Sequence, residues 1–112
     1  MELIENLLLK CGVNPAVKGF PFLVDAIQMR MNEPDAKLVA GIYADIAKRR
    51  NSTIRRVERN IRSAIARALD TQGPDIFYSA LAQGPSLEGN ITNASFIALC
   101  ALQCSRYLAN KA

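Results

Sequence analysis

Histidine and tryptophan are absent from all 112 residues, aromatic side chains make up 6% of the chain, and there are only three cysteines. Each shortage excludes something. Without histidine, the commonest general base and the commonest nitrogen ligand for zinc are missing, and no Asp/Glu cluster or activated Ser or Cys spacing replaces them. No enzyme, metal site or cofactor is therefore expected. Scarce aromatics beside plentiful Ala, Leu and Ile suit packed helices rather than a β-sandwich, so the expected fold is all-α. Cys11, Cys100 and Cys104 are odd in number, and the last two stand four apart in a prospective helix, where disulfide geometry is poor. Reduced, buried thiols in a cytoplasmic protein are the expectation. No window approaches the roughly 18 apolar residues of a membrane span, and MELIENLLLKCG has no basic segment ahead of an apolar run, so neither anchor nor leader is expected.

What is present is a strongly uneven charge. The formal balance is only +4. Eight of the fourteen basic residues, however, fall between Lys48 and Arg67, opposed there by Glu58 alone, and the rest of the chain is net acidic. A local basic patch reads as a binding footprint more readily than a diffuse one. The plain alternative is a solvated helix face without a ligand.

Length favours one domain over residues 1–112. Leu3, Ile4, Leu7 and Leu8 predict a first helix stopped near Lys10 by Gly12 and Pro15, and Phe22, Leu23, Ala26, Ile27 and Met31 predict a second over about 21–32. Asp35 is a candidate cap for a third apolar stripe of Leu38, Val39, Ile42 and Tyr43, whose continuity into Ala44 the pattern leaves open. Ala44 to Arg50 reads as a short helix with Ile46 and Ala47 inward, followed by the turn and cap chemistry of Asn51-Ser52-Thr53. From Ile54 to Leu69 the positions Val57, Ile61, Ala64, Ile65 and Ala68 form one stripe, with arginines on the other faces. Two helices joined this closely make a helix-turn-helix over about 44–69. Beyond Gly73-Pro74, Ile76, Phe77 and Leu81 suggest a short helix, then a loop GPSLEGN. A last helix follows, capped by Thr92 or Asn93, with Phe96, Ile97, Cys100, Ala101, Cys104 and Leu108 on its apolar face. The sum is a compact bundle of about six helices.

On the basic helix, Arg55, Arg59 and Arg62 share one side and Arg56, Ser63 and Arg67 the adjoining one, both turned from the apolar stripe. Arginine forks match guanine edges and phosphate oxygens, and a helix fits the DNA major groove. Lys48, Arg49, Arg50, Ser52 and Thr53, on the preceding helix and turn, lie where phosphates would be reached. Lys18 reads as an ordinary solvent-exposed lysine. Glu58 weakens attraction to phosphate. Two readings stay open for it: an intrahelical partner of Arg55 or Arg62, or an acceptor from a cytosine amino group.

Gly12-Val13, KGFPFLVDAIQM (18–29), IYADIAKRRNST (42–53), RVERNIRSAI (56–65) and TNASFIAL (92–99) together resemble the C-terminal DNA-binding effector domain of stage 0 sporulation protein A, a response-regulator family. The resemblance implies an all-helical domain that binds specific promoter boxes in double-stranded DNA and regulates transcription, at the nucleoid in the cytoplasm. It implies a recognition helix over about 54–69, with Arg56, Glu58, Arg59 and Arg62 at the base-reading positions. Arg62 is open between base and phosphate, and Lys48, Arg49, Arg50, Ser52, Thr53, Arg55 and Ser63 are left for the backbone. It further implies pairing of two domains through Asn93 to Leu108, and contact with RNA polymerase.

The chain departs from the family pattern at Ser63, where the family commonly has His, at Asn90-Ile91 in place of Lys-Pro, and at Ser95 in place of an acid. The receiver domain that precedes the family's effector domain is not part of this sequence, which fits either an excised fragment or a stand-alone relative. An alternative function is a protein-interaction module that pairs with a full-length regulator without reading DNA.

Overall fold

The computed structural model describes residues 2–81 and 91–111. Among these the backbone forms six α-helices and no strand: α1 (Glu2–Cys11), α2 (Gly19–Asn32), α3 (Ala44–Arg49), α4 (Ile54–Gln72), α5 (Pro74–Ala80) and α6 (Asn93–Lys111). The predicted all-helical bundle is what the chain adopts. The loop read at 84–90 lies outside the described residues.

Local chemistry sets the ends. Gly12, at φ +91°, lets α1 close with Val13 N–H donating to the Leu8 carbonyl at 3.0 Å. Gln72, at the far end of α4, donates to the Lys10 carbonyl, also at 3.0 Å. Helix α2 begins two residues before the Pro21 expected from sequence, because proline is tolerated in a first turn, where its missing N–H has no intrahelical partner anyway. Gly73, at φ +87°, separates α4 from α5, and Pro74 opens α5 as its first residue.

The stripe from Leu38 is continuous with α3, but as a wide π-helical turn over Leu38–Tyr43, with Ile42 N–H reaching back five residues to the Lys37 carbonyl at 2.9 Å. Lys37 rather than Asp35 occupies its cap position, without a side-chain bond. The wide turn brings Ile42 and Tyr43 inward and leaves Val39 exposed, so Val39 is not a core residue as the spacing suggested. Two other expectations are corrected in the same way. Ile76 points to solvent because α5 uses the face of Phe77, Tyr78 and Leu81. Leu108 continues the buried face of α6 but overhangs the core, which ends at Cys104.

The core joins Ile4 and Leu8 of α1 to Leu23 and Ile27 of α2, Ile42, Tyr43 and Ile46, the complete α4 stripe, and Phe77, Phe96 and Ile97. Phe77 stacks on Phe96 at 5.6 Å between centroids. Cys11, Cys100 and Cys104 are buried and not joined in disulfides, as expected. No described residue with a charged side chain is buried, and the Tyr43 hydroxyl, inside the core, is met by Asn93. Helix α2 approaches α4 so closely that a Cβ on Gly19 would run into the Asn60 carbonyl and stand 2.7 Å from the Ala64 Cβ. Helices α2 and α6 flank α4, which leaves its arginine-bearing side facing out.

Candidate nucleic-acid interface

The segment from α3 to α4 is built by ordinary capping chemistry. Asn51 takes the left-handed conformation at φ +52°, a region where Asn is favoured among non-glycine residues. That allows Ser52 N–H to close on the Ala47 carbonyl at 2.8 Å, the six-to-one bond that ends a helix in a Schellman turn. Thr53 then caps α4, its Oγ1 accepting from the Arg56 N–H at 3.1 Å. Two helices are thus joined by Arg50-Asn51-Ser52-Thr53, a connection of helix-turn-helix length. The buried set of α4 is Val57, Ile61, Ala64, Ile65 and Ala68, the stripe expected from periodicity. The helix continues one turn beyond Leu69, to Gln72.

The basic residues divide by what holds them. Lys48, Arg55, Arg56 and Arg59 are exposed, and none makes an ion pair or a side-chain hydrogen bond among the described residues. Arg49 pairs with Asp45 one turn earlier at 2.8 Å, with both side chains largely in water. Arg50 is differently placed. Its guanidinium forks onto Asp25 of α2, Nε to Oδ2 at 2.8 Å and Nη2 to Oδ1 at 3.1 Å. The bond to that carboxylate raises the arginine's already high pKa. Arg50 therefore ties the turn to α2. Arg62 is half-buried, and its Nη1 donates to the Ile91 carbonyl at 2.6 Å, just ahead of α6. The carboxylate of Glu58 reaches neither Arg55 nor Arg62 as an ion pair, which removes the intrahelical-partner reading in this conformation. Ser63 is exposed on the outer face.

A groove of about 590 Å³ runs beside the outer face of α4. Its walls are Arg55, Glu58, Arg59 and Arg62 from α4, Leu38 and Tyr43 from the π-helical turn, and Thr92, Asn93 and Ala94 from the start of α6. Thr92 caps α6, its Oγ1 accepting from the Ser95 N–H at 3.1 Å. Asn93 Nδ2 donates to the Tyr43 hydroxyl and to the backbone carbonyl of Glu58, each at 3.2 Å. Burial pushes the Tyr43 phenol above its ordinary pKa, the bond from Asn93 pulls it back, and the nearby Glu58 and Arg62 charges act in opposite senses. The phenol is neutral at physiological pH and serves as a hydrogen-bonding post.

Sequence reasoning identifies the outward arginines and misses the groups around them: Asp25 on Arg50, the Ile91 carbonyl on Arg62, and Asn93 on Tyr43 and the Glu58 backbone. Helical periodicity carries no signal for partners 25 to 50 residues apart. Of the two candidate caps, Thr92 and Asn93, it is Thr92 that caps α6.

Among the described residues, no helix is long and apolar enough to cross a membrane, and no group of His, Cys, Asp and Glu is arranged to hold a metal ion. What the geometry offers is a set of guanidinium groups and a carboxylate without ion-pair partners among the described residues, beside capped helix ends and a groove. A family model described as the C-terminal domain of the sporulation initiation factor Spo0A matches residues 4–104. The match covers the helix-turn-helix and all but the last turns of α6, so the chain belongs to the Spo0A C-terminal family, a family of DNA-binding domains that regulate transcription.

Proposed function

We propose that this domain binds double-stranded promoter DNA sequence-specifically, with α4 in the major groove. The observation that carries the reading is the outer face of α4, where Arg56 and Arg59 have no partner among the described residues and Glu58 is not neutralised by either arginine within one turn. A purely electrostatic surface would gain nothing from a free carboxylate there, whereas a reading surface can use one as an acceptor from cytosine N4 beside arginine forks on guanine. Arg56, Glu58 and Arg59 are accordingly the base readers. Arg62, held by the Ile91 carbonyl, acts chiefly as a strut between α4 and the start of α6, with its remaining donors available to a phosphate.

Lys48, Arg49, Ser52, Thr53, Arg55 and Ser63 take the phosphate backbone. Thr53 can do so while capping, because its hydroxyl accepts from Arg56 N–H and keeps its own proton to donate. Arg50 fixes the turn through Asp25. Two domains pair on adjacent boxes through α6, where Leu102, Tyr107 and Leu108 are exposed apolar side chains, and the start of α6 is the surface offered to RNA polymerase. Such a domain works at the nucleoid, in the cytoplasm.

Enrichment of bound duplexes from a random-sequence pool, followed by mobility shift in rising salt, tests this. A recovered box bound at least a thousandfold more tightly than scrambled DNA is expected. Arg59→Ala should relax preference at one base pair, while affinity for unrelated DNA falls only by the roughly two- to fivefold that one lost positive charge produces at low salt. Equal affinity for all sequences would sink the reading. Capture of a full-length regulator by a chain that ignores DNA would favour the interaction-module alternative.

A further inference from the structure

Ile54 opens α4 in a first turn that sets aside two preferences of helix termini. Acidic residues favour the positive end of a helix dipole, yet that turn holds none and instead carries Arg55 and Arg56. Large apolar side chains favour burial, yet Ile54 is 39% exposed, the only exposed large hydrophobic on α4 among the described residues. The core does not call for it. The stripe that anchors α4 begins at Val57, which is completely buried, and Ile54 extends that line past the edge of the core. Local departures of this kind, without a packing return, mark functional surfaces.

The position also fixes what Ile54 can meet. In a helix-turn-helix the N-terminal residues of the second helix approach the base edges, and Thr53 fixes this end by capping it. Ile54 precedes Glu58 by four residues, so the two lie one above the other along one edge of α4. In the major groove a cytosine presents its N4 amino group and a thymine stacked next to it presents its C5-methyl, one base step away. A carboxylate and a branched apolar side chain stacked along one helix edge match that pair of features.

We propose that Ile54 is a specificity-determining residue that packs on the C5-methyl of a thymine adjacent to the base read by Glu58. The proposal rests on the DNA-reading function above, and its test separates the two. The box enriched by the wild-type domain is resynthesised with deoxyuridine in place of each thymine in turn, which removes only the methyl. Binding is measured by fluorescence anisotropy for wild type, Ile54→Ala and Ile54→Val.

One substituted position should weaken the wild type about fourfold, the worth of one methyl group removed from water. Ile54→Ala should bind the thymine and deoxyuridine boxes equally, at the wild type's deoxyuridine level, while Ile54→Val, which keeps a branched apolar surface, should retain most of the discrimination. A box without thymine, no deoxyuridine effect at any position, or an effect undiminished in Ile54→Ala overturns the role of Ile54 and leaves sequence-specific binding standing. Failure to enrich any box overturns both.

Discussion

Replacing Arg62 by alanine separates a structural arginine from a reading one. The side chain is half-buried and its Nη1 donates to the Ile91 carbonyl at 2.6 Å, while Ile91 itself is only 7% exposed. A hydrogen bond from a charged donor contributes roughly 1.5–3 kcal/mol, and a carbonyl left unpaired adds a penalty that partial water access reduces. About 2 kcal/mol is a reasonable expectation for Arg62→Ala. For a domain of this size it corresponds to a fall in Tm of about 6–10 °C. Arg59→Ala provides the contrast, since Arg59 is exposed and without a partner among the described residues. That variant should melt within about 2 °C of wild type, as surface substitutions usually do, yet lose about tenfold in preference at one base pair. Thermal melting by circular dichroism and binding to single-substitution boxes give the two readouts. If Arg62→Ala melts like wild type and loses preference at one base pair, Arg62 is a reader and the strut assignment is wrong.

Other outcomes follow from the same geometry. Glu58→Gln should bind unrelated DNA about two- to fivefold more tightly at low salt, with the gain shrinking as salt rises, because a charge repelling phosphate has been removed; preference at its base pair should fall at the same time, and a loss of affinity for all DNA would contradict the assignment. Gly19→Ala forces α2 away from the Asn60 carbonyl and should cost about 3 kcal/mol in urea denaturation, at the upper end of overpacking costs, so an unchanged midpoint would refute the close approach. Burial raises the thiols of Cys100 and Cys104 above their ordinary value of 9.0 and the Tyr43 phenol above 10.0. These groups ionise more easily when unfolded, so the unfolded chain releases protons first and stability should fall as pH rises above about 9; a Tm that stays flat from pH 8 to 11 would refute this.

What the sequence made legible is what repeats at helical spacing. The α4 stripe from Val57 to Ala68 has five members at intervals of three and four, and all five are buried. The turn was legible because capping is chemistry between near neighbours: Thr53 with Arg56, Ser52 with Ala47. Short or irregular windows were not. Seven residues of α5 could not decide between the faces of Ile76 and Phe77, and the π-helical turn shifts Val39 out of a phase that assumes an α-helix throughout.

The ties that orient the candidate interface were illegible for a different reason. Asp25 to Arg50, Ile91 to Arg62, and Asn93 to both Tyr43 and Glu58 join residues that only the packing of α2, α4 and α6 brings together. Their consequence is functional. Composition offers eight equivalent basic residues, whereas the fold commits Arg50 and Arg62 to carboxylate and carbonyl and leaves Lys48, Arg55, Arg56 and Arg59 without intramolecular partners among the described residues. Because Asn93 holds the backbone of Glu58 and Arg62 holds the residue two before Asn93, the start of α6 is bonded directly to α4. The position of α4 is therefore fixed relative to the start of α6 by two hydrogen-bonded contacts, one from the Arg62 side chain and one to the Glu58 backbone.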